Sequence, residues 1–166
     1  MALDRPCGLQ AAQVDALAAI VGRENTTTDV YQRTRYAYGK TTEEMMELGQ
    51  GVVREIADLV VHPRHKEDVG HIVRYCHEEN IPLYVFSGGS SVNLGLRPTR
   101  GGVTLVMSTH MNKLLTLNEL NQTATVQPGM LGPAYEAALN QAPERFRTRR
   151  RYTCGHFPQS FEHSTV

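Results

Sequence analysis

The chain has 166 residues, of which 40% are hydrophobic and 20% are charged, and its 17 basic residues balance its 17 acidic ones. This composition is typical of a soluble globular domain with a core of its own, and it excludes a disordered chain. A balanced charge gives no overall field that would favour nucleic acid or acidic lipid, and no apolar run approaches the roughly 20 residues that span a bilayer.

The first third of the chain is mainly helical in its pattern. Helical spacing of apolar residues predicts a helix over residues 9–20, which Gly22 would end. The positions that carry this spacing are Val14, Leu17, Ala18 and Val21. Residues 23–40 are polar and aromatic without a clear period, so we expect an irregular arm there. A short helix should start at Thr42, and its apolar side would consist of Met45, Met46 and Leu48.

The next stretch has the most regular pattern. Residues 57–63 predict a short apolar strand, and residues 66–80 an amphipathic helix with acidic residues in its first turn. The apolar positions of this helix are Val69, Ile72, Val73 and Cys76. Pro82 precedes a second apolar strand, Leu83–Phe86. Strand, helix and strand in this order predict a βαβ unit with parallel strands.

Two further strands and a helix are expected in the remaining part. The strands cover residues 103–107 and 124–127, and the helix covers residues 134–140. Residues 144–153 contain five arginines, which could form a nucleic-acid patch. The balanced net charge and the lack of interleaved aromatics favour a solvated loop or a contact with another domain, so no nucleic-acid partner is expected.

The cysteines and histidines point to no further chemistry. Cys7, Cys76 and Cys154 are odd in number and scattered, which argues against a disulfide framework. The first ten residues contain an acid and no apolar segment typical of a secretory signal. Together these features favour a cytoplasmic protein. No four histidines and cysteines have the spacing of a zinc site, so no metal is expected.

A run of small residues follows the second predicted strand. It consists of Ser87, Gly88, Gly89, Ser90 and Ser91. Its spacing excludes the Rossmann fingerprint, the P-loop and the nucleophile elbow. Two interpretations stay open from these residues alone. The first is a nest of backbone N–H groups, assisted by serine hydroxyls, that binds an anion. The second is an ordinary surface turn.

Several motifs occur in an order that resembles a known family. They are Leu59-Val60-Val61-His62-Pro63, Asp68-Val69, Ile72-Val73, Ile81-Pro82-Leu83, residues 87–92, Gly102-Val103, Gln127-Pro128-Gly129 and His156-Phe157-Pro158-Gln159-Ser160. From about residue 33 onward the chain resembles the FAD-binding domain of the vanillyl-alcohol oxidase and p-cresol methylhydroxylase type. Met111-Asn112-Lys113 and the motif in residues 155–166 look most like the alkyldihydroxyacetonephosphate synthase branch. Bacterial FAD-linked oxidases and D-lactate or glycolate dehydrogenases are also similar.

The resemblance implies an α+β fold with a parallel βαβ subdomain and an incomplete second subdomain. Residues 1–56 would be an N-terminal helical arm, and residues 57–166 the first part of the FAD-binding domain. It implies FAD as cofactor, with Ser87, Gly88, Gly89, Ser90 and Ser91 at the pyrophosphate. Along the ribityl chain and ring it places Gln159, Ser160, Ser164 and Thr165. The chain departs from the family at Gln159, where an acid is common, and at Ser87, where a glycine is common.

The family's cap domain, with its substrate pocket and catalytic residues, has no counterpart in this sequence. We therefore assign no catalytic residue and expect the N-terminal part of a truncated enzyme, completed by a missing cap domain or a partner chain. The expected function is FAD binding in an oxidoreductase for a 2-hydroxy acid or similar small substrate. Two alternatives stay open: a fragment of a synthase-like alkyl transferase, and a non-catalytic subunit that oligomerises without flavin.

Overall fold

The structure is a computed structural model, and it describes residues 5–118, 120–121 and 123–141. Its helices are α1 (Ala11–Val21), α2 (Val30–Arg35), α3 (Thr42–Gly49), α4 (Lys66–Glu78) and α5 (Gly132–Gln141). Its strands are β1 (Thr26–Thr27), β2 (Leu59–Val61), β3 (Leu83–Phe86), β4 (Val103–Val106), β5 (Leu114–Asn118) and β6 (Thr123–Val126). A 3₁₀ turn, Arg23–Asn25, connects α1 to β1.

The main sheet has the strand order β1-β2-β4-β3. Strands β2 and β3 both pair in parallel with β4, which lies between them. The predicted parallel strands around a crossover helix are therefore confirmed, and α4 is that helix. Strands β5 and β6 form a separate antiparallel pair. The combination of a parallel sheet, an antiparallel pair and helices confirms the predicted mixed α+β class.

The core lies around the two central strands. Every residue of β2 and β4 is buried, as is typical of parallel strands that are covered on both faces. Helices α1 and α4 pack in the same hydrophobic cluster as these strands. The cluster includes Leu17, Val21, Leu59, Val61, Ile72, Cys76, Val103 and Leu105. The edge strand β3 is only partly buried, so its residues can take part in a surface site.

The prediction of an irregular arm over residues 23–40 is wrong. This segment contains α2 and also β1, which adds an antiparallel strand to the sheet by pairing Thr26 with Val61 and Thr27 with Val60. A strand of two residues leaves no period in the sequence, because pairing with β2 rather than local preference creates it.

The predicted apolar sides of two helices also need correction. In α3, Met45, Met46 and Leu48 are 48%, 60% and 37% exposed, whereas Glu44 is fully buried. The inward side of α3 is held by hydrogen bonds of Glu44 and not by apolar packing. In α4, Val73 is 47% exposed, while Ile72 and Cys76 are buried as predicted. Strand β5 was not predicted from the sequence, since the adjacent Leu114 and Leu115 interrupt any alternation, and Leu115 is exposed.

Candidate functional site

The carboxyl ends of the three parallel strands meet at one edge of the sheet. His62 follows β2, Ser87 follows β3, and Ser108 lies shortly after β4. This is the edge at which ligands of parallel α/β sheets usually bind, because the loops that leave the strands converge there.

Two adjoining cavities lie along this edge. One has a volume of about 260 Å³ and is lined by Arg35, Tyr36, Phe86, Ser87, Gly88, Ser108 and Leu131. The other has a volume of about 320 Å³ and is lined by Ser108, Asn112, Gly129, Leu131 and Ala134. Because they share Ser108 and Leu131, we treat them as one feature, the edge groove. The described residues that line it include an arginine and no carboxylate, a lining that suits an anionic ligand.

The small-residue loop at residues 87–91 has a backbone that requires glycine. Gly89 has φ +68°, and a Cβ there would lie 2.4 Å from Cζ of Phe86. A side chain at this position would therefore be strained and would also clash. Ser87 and Ser91 are buried, and their hydroxyls donate to the Pro128 carbonyl and to Asn93 Oδ1. Any contact of these two serines with an anion would therefore rest on their backbone N–H groups.

The segment before α3 fixes the far end of this loop. The backbone N–H of Lys40 donates to the Ser91 carbonyl over 2.7 Å, and a Cβ at Gly39 would lie 2.4 Å from the same oxygen. The buried Glu44 carboxylate accepts hydrogen bonds from the backbone N–H groups of Gly39 and Thr41, each at 3.1 Å. The Thr41 side chain in turn caps α3 by accepting from Glu44 N. Sequence reasoning missed this support, although the Thr-x-x-Glu capping box was a usable signal.

An aromatic wall borders the edge groove. The Tyr36 ring packs edge-to-face against Phe86 at 5.0 Å and against His62 at 5.8 Å, measured between ring centroids. His62 Nδ1 lies 2.7 Å from Thr109 Oγ1. Burial, together with the nearby His110, lowers the pKa of His62, which favours its neutral form. The Arg35 guanidinium carbon lies 5.4 Å from the centroid of Tyr36.

The structure brings together one of the two predicted sets of cofactor-binding residues. Ser87, Gly88, Gly89, Ser90 and Ser91 form one loop, and its first two residues line the edge groove. The second set, Gln159, Ser160, Ser164 and Thr165, lies outside the described residues, as does the arginine-rich segment 144–153. The roles assigned to both sets remain predictions, and so does the division of the chain at residue 56.

A family model for an FAD binding domain matches residues 57–166. The chain belongs to this family of FAD-binding domains. It is 30% identical over 141 residues to alkyldihydroxyacetonephosphate synthase of Dictyostelium discoideum, covering 83% of this chain and 22% of the relative. It is also 31% identical over 117 residues to glycolate oxidase subunit GlcD of Bacillus subtilis, covering 70% of this chain and 23% of the relative. The resemblance read from the sequence is thereby confirmed.

Solved structures of similar proteins share the fold of this chain. An alkyldihydroxyacetonephosphate synthase superposes with a TM-score of 0.77 at 26% identity, over 88% of this chain and 28% of that one. A p-cresol methylhydroxylase superposes with a TM-score of 0.63 at 21% identity, over 82% of this chain and 26% of that one, which shows the shared fold. This chain thus spans about a quarter of the length of the proteins that it matches.

FAD is the cofactor of this domain family, and the edge groove fits it. The glycine-dependent turn at Gly89 keeps bulk away from the loop, and the described lining of the groove carries a positive charge at Arg35. Among the described residues, no three potential ligands cluster as a metal site would require. In the same part of the chain, no helix has the length and apolar character to cross a membrane.

Proposed function

We propose that residues 87–91 bind the FAD pyrophosphate and that this chain positions the flavin in an FAD-linked oxidoreductase. The observation that carries this proposal is the location of the loop. It leaves the carboxyl end of the parallel strand β3, borders the edge groove and adopts a turn that requires Gly89. Backbone N–H groups of Ser87, Gly88, Gly89, Ser90 and Ser91 would donate to the phosphate oxygens. By the family pattern, Gln159, Ser160, Ser164 and Thr165 would line the ribityl chain and ring.

Replacement of Gly89 tests this assignment. In Gly89→Ala, the added methyl group meets the Phe86 ring at a positive φ, so the loop must move. We expect FAD affinity to fall by about 5- to 150-fold, corresponding to the roughly 1–3 kcal/mol of strain at such a position. The measurement is a titration of FAD fluorescence with the purified chain, supported by circular dichroism to show that the variant is folded.

Gly70→Ala is the matched control. Gly70 lies within α4, and a Cβ there has no atom within 4 Å, so this variant should bind FAD as the wild type does. Equal FAD affinity in Gly89→Ala and Gly70→Ala would contradict the assignment of the loop.

We further propose a 2-hydroxy acid or similar small molecule as the substrate of the complete enzyme. The similarity to a glycolate oxidase subunit supports this class, as does 39% identity over 75 residues to a mitochondrial D-lactate dehydrogenase [cytochrome] of Kluyveromyces lactis. When bound, the flavin supplies the acceptor for the substrate's electrons, and this chain's residues hold and orient it. Anaerobic addition of glycolate or D-lactate to the complete enzyme should bleach the yellow flavin, and an unchanged spectrum with both would contradict this substrate class.

Alkyl transfer is the second candidate, favoured by the sequence and structural similarity to alkyldihydroxyacetonephosphate synthases. It would leave the flavin spectrum without net bleaching while an alkyldihydroxyacetonephosphate product forms. Product analysis by mass spectrometry therefore separates the two reactions.

Partners and location are proposals as well. A cap domain or partner chain would supply the substrate pocket, and the chain would reside in the cytoplasm. The competing proposal is a non-catalytic subunit that forms homo-oligomers without flavin. Light scattering coupled to size-exclusion chromatography, with an absorbance detector for flavin, distinguishes a colourless oligomer from a yellow protein.

A further inference from the structure

Arg35 lines the edge groove from outside the small-residue loop. It is the last residue of α2, and it lines the same cavity as Ser87 and Gly88 of the small-residue loop. Arg35, the rest of α2 and Tyr36 all lie outside the segment 57–166 that matches the FAD-binding family. The groove is therefore built partly by the matched domain and partly by residues that precede it.

The Arg35 side chain is exposed, and its guanidinium lies over the Tyr36 ring of the aromatic wall. Its carbon lies 5.4 Å from the centroid of Tyr36, within the range of a cation–π interaction. The Tyr36 ring is itself held edge-to-face by Phe86 and His62. An arginine that is oriented in advance loses less side-chain entropy when it binds an anion than a freely rotating one does.

Among the described residues that line the edge groove, Arg35 is the one with a charged side chain. The other described residues that line the two cavities are uncharged. Among the described residues, the ion pairs within 4.0 Å engage other basic side chains, namely Arg23, Arg33, Arg54, Arg64, Lys66 and Arg97. No carboxylate in that part of the chain thus lies within 4.0 Å of the Arg35 guanidinium.

We propose that Arg35 is an additional cofactor-binding residue that contacts the pyrophosphate of FAD from outside the matched domain. The backbone N–H groups of residues 87–91 are neutral donors, whereas the pyrophosphate is an anion that gains from a full positive charge in a partly enclosed groove. Guanidinium geometry suits two adjacent phosphate oxygens, which a lysine cannot contact in the same way. This proposal rests on the proposed function, because it requires FAD in the edge groove.

The test compares FAD affinity among variants that differ in charge and location. Arg35→Gln removes the charge next to the groove, and we expect FAD to bind about tenfold more weakly, with Arg35→Lys in between. Arg74→Gln is the matched control, since it removes the same charge from an exposed position on α4. It should bind FAD as the wild type does.

Salt dependence separates a charge contact from a purely structural role. If Arg35 contacts the pyrophosphate, the difference in affinity between wild type and Arg35→Gln shrinks as salt is raised, because ions screen the interaction. A difference that stays constant with salt, equal affinities of wild type and Arg35→Gln, or Arg35→Lys binding no better than Arg35→Gln would each overturn the Arg35 contact alone. A wild-type chain that takes up no FAD would overturn the proposed function together with this inference.

Discussion

Asp58 connects three separate parts of the chain. Its carboxylate accepts hydrogen bonds from the backbone N–H groups of Gly8, at 2.9 Å, and Gly102, at 2.6 Å. It also lies 4.0 Å from the buried Arg33 guanidinium, whose Nε donates to the carbonyl of Ala57. Two backbone donors therefore depend on one carboxylate just before β2, and the same carboxylate balances the charge of the buried Arg33, which also donates to the Arg5 carbonyl.

Removal of this carboxylate should be costly. In Asp58→Ala, the Arg33 charge and the Gly102 N–H would remain buried without their partner, so we expect a loss of about 3–5 kcal/mol in the free energy of unfolding. Urea unfolding followed by circular dichroism measures it. Asp15→Ala is the control, because the Asp15–Arg23 pair is exposed on both sides and should contribute less than about 1 kcal/mol. Similar losses in both variants would show that Asp58 is not a structural centre.

Sequence reasoning could not find these single-residue roles. Arg33 and Asp58 are 25 positions apart, and each looks like a surface residue in a polar or mixed context. Only the folded chain brings the carboxylate to Gly102, where a positive φ of 86° turns the backbone toward it. The prediction for Cys76 succeeded because it shares the apolar side of α4 with Ile72, four residues earlier, whereas Val73 lies at the edge of that side and is exposed. Burial raises the pKa of the Cys76 thiol to about 11.

Helix α3 shows how an element can support a site that it does not belong to. Its start is fixed by reciprocal hydrogen bonds between Thr41 and Glu44, and the same Glu44 carboxylate holds Gly39 beside the Ser91 carbonyl. Helix α3 therefore positions the backbone of Gly39 in contact with the Ser91 carbonyl at the end of the small-residue loop. Its apolar residues face outward because the inward side already contains this polar contact.

Glu44→Ala should weaken both the fold and the site. It leaves the backbone donors of Gly39 and Thr41 without their acceptor, so we expect a loss of about 1–3 kcal/mol in unfolding free energy. We also expect weaker FAD binding, since Ser91 would lose its fixed position. Thermal unfolding and FAD titration measure the two effects. Glu43→Ala, one residue away and 61% exposed, is the control and should change both only slightly. A larger effect of Glu43→Ala would contradict this account of α3.

Over the whole molecule, residues before the matched domain belong to the same core as the sheet. Leu17 and Val21 of α1 are fully buried, and they lie in one cluster with Leu59 of β2 and Ile72 of α4. Tyr36, which also precedes the matched domain, packs against Phe86 at the edge groove. The described part of the residues 1–56 thus contributes to the stability of the sheet as well as to the groove.

Truncation of Leu17 tests this integration. Leu17→Ala removes a fully buried side chain and should cost about 2–5 kcal/mol, lowering the midpoint of a single cooperative transition. Leu120→Ala is the matched control, since Leu120 is 92% exposed and its loss should change stability by about 0.5 kcal/mol or less. A separate early transition in Leu17→Ala would indicate that α1 unfolds independently of the sheet.

The sequence by itself determined the parallel strands, the crossover helix, the small-residue loop and the family, because each depends on local spacing or on the order of short motifs. The tertiary structure decided the features that no local sequence pattern encodes. It added β1 by pairing two residues with β2, turned the apolar side of α3 outward, and placed Arg35 and Tyr36 beside the loop at residues 87–91. These features arise from contacts between residues far apart in the chain, where only the packing of the folded molecule defines the partners.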